Sequence, residues 1–168
     1  QDAALGFGGD PNGSTVTESY NGSSWTEVND LNTSRAAAAG AGTQTSALAS
    51  TGFPSTGKDK VESWNGSSWT EVAEPNLPRD STNGTGASNT SAIIFGGYNP
   101  PQIYEAETEV WDGTSWTEVS DLNTARRSGG SAGIATSAML AGGSIQPGVL
   151  DNVETWNGTS WTEVAEMN

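Results

Sequence analysis

Apolar and polar positions along the chain follow two patterns that are typical of β-strands. In residues 61–72, Val, Trp and Thr alternate with polar residues on both sides of Asn65-Gly66. Such alternation favours strands, and Asn-Gly tolerates the positive φ values that a tight hairpin turn demands. In residues 90–97, an apolar run is closed by the pair Gly96-Gly97, which predicts another strand. The sequence therefore predicts strands and hairpins rather than helices.

These patterns repeat along the chain. The pentapeptide Ser-Trp-Thr-Glu-Val occurs four times, and its tryptophans are 44, 47 and 45 residues apart. A second aromatic residue stands five positions before each tryptophan, with Asn-Gly or Asp-Gly between the two. The pairs are Tyr20 and Trp25, Trp64 and Trp69, Trp111 and Trp116, and Trp156 and Trp161. Each pair brackets a hairpin, whose two strands we call c and d.

Each hairpin follows a strand b, and a stretch of small residues lies further upstream. The strand-b segments, which end at a glycine pair or its counterpart, are residues 3–9, 45–52, 90–97 and 136–143. Residues 36–42 and 128–134 are rich in Ala, Gly and Ser, and we assign them to a strand a. Their lack of bulk suits an innermost position, where strands crowd around a central axis. Four antiparallel strands in a repeat of about 45 residues predict a β-propeller blade.

The order of these features resembles the kelch repeat. In that family, strand b ends in Gly-Gly, strand c carries an aromatic residue, strand d opens with Trp, and an Arg often follows. Here Arg35, Arg79 and Arg126 each stand ten residues after a strand-d tryptophan. The resemblance implies an all-β fold, a kelch-type propeller of four repeats with antiparallel four-stranded blades. We expect a single domain over residues 1–168, with repeats at approximately 1–30, 31–74, 75–121 and 122–168.

The two ends of the sequence leave one blade short of a strand. Residues 1–9 align with strand b, and residues 164–168 align with the segment that leaves strand d. One blade is therefore assembled from both termini or left incomplete there. Three explanations are open: a ring that closes with a three-stranded blade, a chain trimmed from a longer array, or a strand supplied by a neighbouring copy. The last would be β-augmentation and could build a polymer.

Composition removes several classes of function. The formal net charge of -14, from 20 acidic and six basic residues, repels phosphate backbones, so we expect no nucleic-acid binding. No stretch reaches the roughly 20 apolar residues of a membrane-spanning helix, so we expect no membrane insertion. The chain contains neither His nor Cys, which excludes Ser-His-Asp and Cys-His catalysis and the usual zinc ligands. The copper site of galactose-oxidase-like kelch propellers needs those residue types and is not carried over.

The recurring residues have structural interpretations. Four glutamates of the pentapeptide recur at one position, which spreads them around a ring instead of opposing two in a glycosidase-like cleft. We interpret them as solvated or Arg-paired; they are Glu27, Glu71, Glu118 and Glu163. The seven tryptophans suit packing between blades, and the repeat arginines are expected to bond carbonyls or Glu there. Residues 10–14 are oxygen-rich, and calcium is the one cofactor considered for them, although they lack the spacing and final Glu of an EF-hand loop.

The connections between strands b and c differ most from repeat to repeat. They are residues 10–15, 53–60, 98–106 and 144–152, and all four should emerge on one face. Because function in repeat scaffolds tends to lie in such loops, we predict a recognition surface there. Its members are Phe53, Lys58, Lys60, Tyr98, Asn99, Gln102 and Tyr104. Neutral drift in unconstrained loops would produce the same variation.

Two hypotheses about function remain. The first is a non-catalytic structural or protein-interaction propeller, such as a virion, surface or polymer-forming extracellular component, with another protein or a further copy as its partner. The repeats resemble those of phage and marine bacterial proteins, which implies an extracellular or virion-associated location. The second hypothesis is a glycan-binding lectin that uses the aromatic residues of the b–c loops. An enzyme is a distant third.

Overall fold

The computed structural model describes residues 3–9, 11–54, 57–101 and 103–167. Every regular element in these residues is a β-strand, so the fold is all-β, as the pattern of the sequence predicts. The strands form one three-stranded and three four-stranded antiparallel sheets, with a two-stranded hairpin added. Within these ranges, no helix has the length and apolar character needed to cross a membrane.

The four main sheets follow one another along the chain. Sheet 1 contains β1 (Ala4–Phe7), β2 (Thr17–Tyr20) and β3 (Trp25–Glu27). Sheet 2 contains β4 (Ala39–Thr43), β5 (Ser46–Ser50), β6 (Val61–Trp64) and β7 (Trp69–Val72). Sheet 3 contains β8 (Asn83–Ser88), β9 (Ser91–Asn99), β10 (Ile103–Trp111) and β11 (Trp116–Val119). Sheet 4 contains β12 (Gly130–Ile134), β13 (Ser137–Ala141), β16 (Val153–Trp156) and β17 (Trp161–Val164). Between β13 and β16 the chain forms a separate small hairpin of β14 (Ser144–Ile145) and β15 (Gly148–Val149).

Each four-stranded sheet is a meander of strands a, b, c and d in that order. The predicted four-stranded antiparallel unit is therefore confirmed. Sheet 1 has three strands, and β1 pairs only with β2 among the described residues, so the first repeat is the incomplete one. The described strands do not form a closed propeller: apolar clusters join sheet 1 to sheet 2, sheet 2 to sheet 3 and sheet 3 to sheet 4, and none of them joins sheet 4 to sheet 1.

The c–d turns use their Asn differently from the prediction. Gly66 has a φ of +96°, but Asn65 is not among the described residues with positive φ. Instead, its side-chain oxygen accepts hydrogen bonds of 2.9 Å from the backbone N–H groups two and three residues later. The expectation that both residues take positive φ is wrong, because a four-residue connection needs it only at the glycine. Asp112 replaces Asn in sheet 3, where the same kind of hydrogen bonds, foremost that from the Ser115 backbone, lower the pKa of Asp112 to about 2.

The strand-a segments of neighbouring sheets lie side by side. β8 lies between β4 and β12, and Thr85 Oγ1 in β8 donates a hydrogen bond of 2.6 Å to the carbonyl of Gly133 in β12. On the other side of β8, a Cβ placed on Gly84 would come within 2.8 Å of the Ala39 Cβ in β4. This close approach explains why strand a consists of small residues.

The apolar core lies between neighbouring sheets. Each of its three clusters contains the aromatic pair of one c–d hairpin and side chains of the preceding sheet. The pairs are Trp64 with Trp69, Trp111 with Trp116, and Trp156 with Trp161, and these indoles are 2% to 7% exposed. Trp25 is the exception at 51% exposed. The predicted packing between repeats does not occur at Trp25, because no described sheet covers that face of sheet 1.

Candidate functional site

The segment between strand d of one sheet and strand a of the next is called a link here. Each repeat arginine lies in such a link and joins it to the sheet that follows. The Arg35 side chain is fully buried, and its Nη2 donates a hydrogen bond of 2.5 Å to Glu62 Oε1 while its Nη1 donates one of 2.8 Å to the carbonyl of Lys60. Burial lowers the pKa of Arg35, and the negative charge of Glu62 opposes that effect. Glu62 also accepts hydrogen bonds from the backbone N–H groups of Asn32 and Thr33. The same arrangement recurs in Arg79 with Glu109 and in Arg126 with Glu154.

The glutamates that pair with these arginines lie in strand c, and the sequence analysis missed them. All four glutamates of the pentapeptide are exposed, and the one among them with an ion pair in the described residues, Glu71, bonds Lys60 Nζ at 3.0 Å. A signal for the true partners exists, since a Glu stands two residues before every strand-c aromatic: Glu18, Glu62, Glu109 and Glu154. Because they recur in every repeat and are fully buried in sheets 2 to 4, these glutamates have a structural role: with the repeat arginines they form the constant frame of the protein.

The residue after each repeat arginine anchors the start of a b–c connection. Ala36 forms a bridge with Phe53, in which the two backbone N–H groups donate hydrogen bonds of 2.6 and 2.8 Å to the opposite carbonyls. Asp80 forms the same bridge with Tyr98, and Arg127 forms it with Ser144. The rigid arginine position therefore fixes where each variable connection leaves its sheet.

Three of the four b–c connections meet around one pocket in the described part of the chain. This loop-face pocket has a volume of about 700 Å³. The connections supply Pro11, Phe53, Pro54, Lys58, Tyr98 and Pro100, and the links supply Ala36, Ala37, Asp80, Ser81 and Arg127. The predicted emergence of these loops on a common face matches this geometry for the first three connections.

The structure separates the residues of the predicted recognition surface. Phe53, Lys58 and Tyr98 line the loop-face pocket, and Phe53 is 44% exposed. Tyr104 is not among the residues that line the pocket, but its ring centroid lies 5.7 Å from that of Tyr98. Lys60 does not line the pocket, because its Nζ donates to Glu71 and Glu74 at a different site.

Two further predicted members of this surface lie outside the pocket lining that is described. Asn99 pairs with Ile103 across the β9–β10 ladder and is not among the residues around the pocket. Gln102 lies outside the described residues.

Two charged residues of the pocket escaped the sequence analysis, Arg127 and Asp80. The Arg127 guanidinium carbon lies 4.8 Å from the Tyr98 ring centroid and 5.7 Å from that of Tyr104, within the range of a cation–π contact. Lys58 Nζ lies 3.0 Å from Asp80 Oδ2, whereas Arg127 has no ion pair among the described residues. A signal was present in Arg126-Arg127, since only the first arginine satisfies the ten-residue spacing and the second is surplus to the repeat.

The arrangement combines apolar walls with one cation that lacks an acidic partner among the described residues. Aromatic and proline surfaces offer stacking and apolar contact, and a guanidinium offers paired donors to a carboxylate or a hydroxyl group. The pocket can therefore bind a ligand that has an apolar face beside an anionic or hydrogen-bond-accepting group. The described residues contain no cluster of three or more acidic side chains that could hold a metal ion, and Asp10 of the oxygen-rich segment lies outside them.

A second groove lies between sheets 1 and 2. It has a volume of about 810 Å³ and is lined by Ala4, Leu5 and Phe7 of β1 and by β4. The groove lies beside β1, the strand of sheet 1 that has no neighbouring strand a among the described residues.

A scan against models of known protein families finds no match for this chain, and a search of curated proteins finds none either.

Proposed function

We propose that the chain is a non-catalytic interaction module, a kelch-type propeller array that binds a protein partner at its loop-face pocket. The observation that carries this proposal is the convergence of three variable connections on one apolar pocket, which also contains an arginine without an ion pair in the described part of the chain. The frame that holds them is repeated, while the side chains that line the pocket differ from repeat to repeat. Such a division between a constant frame and variable loops is typical of binding scaffolds.

Kelch-type architecture is supported by the order of features within each sheet. The meander places a small-residue strand at one edge, strand-d Trp against the preceding sheet, and a buried Arg in the link. The propeller geometry remains part of the proposal. We also assign the chain to an extracellular or virion-associated role as a surface or polymer component, on the resemblance of its repeats alone.

A peptide that carries an aromatic or proline residue next to a carboxylate fits the pocket best. Its apolar side chain would contact Phe53 and Pro54, and its carboxylate would pair with Arg127, which stacks on Tyr98. The Lys58–Asp80 pair is already neutral as a unit, so Arg127 supplies the charge that selects an acidic group.

Selection from a random peptide library on the immobilised protein tests this proposal. We expect enriched peptides to combine aromatic or proline residues with Asp or Glu, and to lose at least about tenfold in affinity on Arg127→Ala or Tyr98→Ala. Val149→Ser, at a site that is 87% exposed in the small hairpin, is the matched control and should leave binding unchanged. Equal binding by all three variants would show that the pocket is not the site.

A glycan-binding lectin is the second candidate, favoured by the exposed ring of Phe53 in a pocket with Tyr98. Flat aromatic faces stack on the apolar faces of sugars, and Arg127 would favour a sugar that carries a carboxylate. A glycan array that compares the wild type with a Tyr98→Ala, Tyr104→Ala double variant decides this point. Binding of a sugar that the double variant loses would favour the lectin over the peptide-binding module.

A further inference from the structure

One type of contact joins the sheets of this chain three times. Trp69 of sheet 2 lies against sheet 1, with its ring 5.1 Å from that of Phe7 and its Nε1 donating to Thr17 Oγ1 at 3.0 Å. Trp161 of sheet 4 lies against sheet 3 in the same way, 4.7 Å from Phe95. Each interface therefore has an indole half, formed by a c–d aromatic pair, and an acceptor half, formed by strands b, c and d of the preceding sheet.

The indole half of sheet 1 is built but uncovered. Trp25 lies 5.2 Å from Tyr20 between ring centroids, close to the 5.3 Å that separates Trp64 from Trp69. Trp25 is nevertheless 51% exposed, whereas Trp69 is 6% exposed. The aromatic pair therefore has the geometry of an interface that no described residue completes.

The acceptor half of sheet 4 is uncovered too. Met139 occupies the strand-b position of Leu48 and Ile93, and it is 40% exposed where they are fully buried. Val164 occupies the strand-d position of Val119, which packs on the core, and it is 44% exposed. Apolar side chains thus stand at the positions where the three internal interfaces receive a tryptophan pair.

We propose that the outer face of sheet 1 in one copy of the chain packs on the outer face of sheet 4 in a second copy. The two faces are the two halves of the interface that the chain already forms internally, and they lie at opposite ends of its row of sheets. Among the described residues no apolar cluster joins these two faces, and a second copy offers each face its complementary half. The contact is head to tail, so it produces a ring if the rotation between copies closes and an open filament otherwise.

Charge determines how this association responds to salt. Every copy carries a formal net charge of -14, so copies repel one another while the contact itself is apolar. Glu18, which stands where other sheets have a buried glutamate, is exposed and can stay in water at the rim. Screening weakens the repulsion, so association should strengthen from about 0.15 M to about 1 M salt.

Sedimentation velocity on the wild type and on single-end variants tests the proposal. Trp25→Asp disables the indole half, a Met139→Asp, Val164→Asp double variant disables the acceptor half, and Val149→Asp is a charge-matched control on the small hairpin. We expect concentration-dependent assembly of the wild type and the control, and a loss of at least about 30-fold in association for either end variant. Near-ultraviolet circular dichroism of each variant verifies that the sheets are intact.

Mixing the two end variants gives the deciding result. One retains the acceptor half and the other the indole half, so an equimolar mixture should form one-to-one dimers and nothing larger. Monomeric wild type at every concentration and salt would overturn the proposal. If that monomer also protects Trp25 from acrylamide quenching, the chain closes its own ring; if Trp25 stays accessible, both faces remain free.

Discussion

Replacement of Glu62 by Gln tests whether the buried ion pairs hold the sheets together. Glu62 and Arg35 both have fully buried side chains, and the carboxylate accepts hydrogen bonds from Arg35 Nη2 at 2.5 Å and from the backbone N–H groups of Asn32 at 2.7 Å and Thr33 at 3.0 Å. Gln keeps the shape of the side chain, but it removes the negative charge and turns an NH₂ group toward groups that can only donate. Arg35 is then a buried cation without a counter-ion.

The structure sets the expected size of this effect. Removal of one partner from a buried ion pair costs about 3–5 kcal/mol, because the remaining charge is neither hydrated nor paired. A domain of ordinary stability has a free energy of unfolding of about 5–15 kcal/mol, so the loss would be a large share of the total stability. Glu18→Gln is the matched control: Glu18 holds the same repeat position in sheet 1 but is exposed, so its replacement should change the free energy of unfolding by less than about 0.5 kcal/mol.

Urea unfolding, followed by tryptophan fluorescence, measures both variants. With an m-value of about 2 kcal/mol/M, the Glu62→Gln midpoint should fall by roughly 1.5–2.5 M, while that of Glu18→Gln stays near the wild type. Equal midpoints for the two variants would refute the reasoning, because they would show that the paired carboxylate contributes no more than a surface one.

Two further predictions concern the backbone and the pH dependence. Gly133→Ala should destabilise the protein by about 1–3 kcal/mol in thermal unfolding, because φ there is +121° and a Cβ would lie 2.2 Å from a carbonyl oxygen; Gly148→Ala, whose Cβ would meet nothing nearer than 3.8 Å, should have little effect, and equal losses would contradict the argument. Burial and the neighbouring Glu107 raise the pKa of Glu105 to about 7, although Arg79 opposes the shift. Because the folded protein then binds more protons than the unfolded chain between pH of about 4.5 and about 7, stability from this group is complete below that window and is lost as the pH rises through it. Urea midpoints should therefore fall less across the window in Glu105→Gln than in the wild type, and parallel curves would exclude the assignment.

The meander could be predicted because its signals are local. Alternation on both sides of Asn65-Gly66 specifies two strands and their turn within twelve residues. The glycine pair Gly96-Gly97 marks where the register between β9 and β10 shifts, although β9 itself continues to Asn99. The small residues of strand a were predictable for a related reason. A side chain at Gly84 would collide with Ala39 of the neighbouring sheet, so only small residues fit there and the segment is rich in Ala, Gly and Ser.

Features that depend on the relation between sheets were harder to predict. The spacing that locates Arg35 does not say which of two repeated glutamates it meets, because Glu62 and Glu71 directly face each other across the β6–β7 ladder. Only the packing of the preceding link against strand c selects Glu62. The exposure of Trp25 escaped prediction for the same reason, since its sequence context is that of the buried tryptophans and only the absence of a covering described sheet distinguishes it.

The loop-face pocket contains residues whose position is set by the repeat but whose identity differs from one repeat to the next. Arg126 is fixed by its repeat partner Glu154, so the residue that follows it always begins a bridge to a b–c connection. That following position holds Ala36, Asp80 and Arg127 in the three links, and all three line the pocket. The frame therefore places three chemically different side chains at equivalent points around one cavity. Arg127 could have been predicted as a pocket residue from its place directly after a repeat arginine. It escaped prediction because the repeats do not share a residue type at that position.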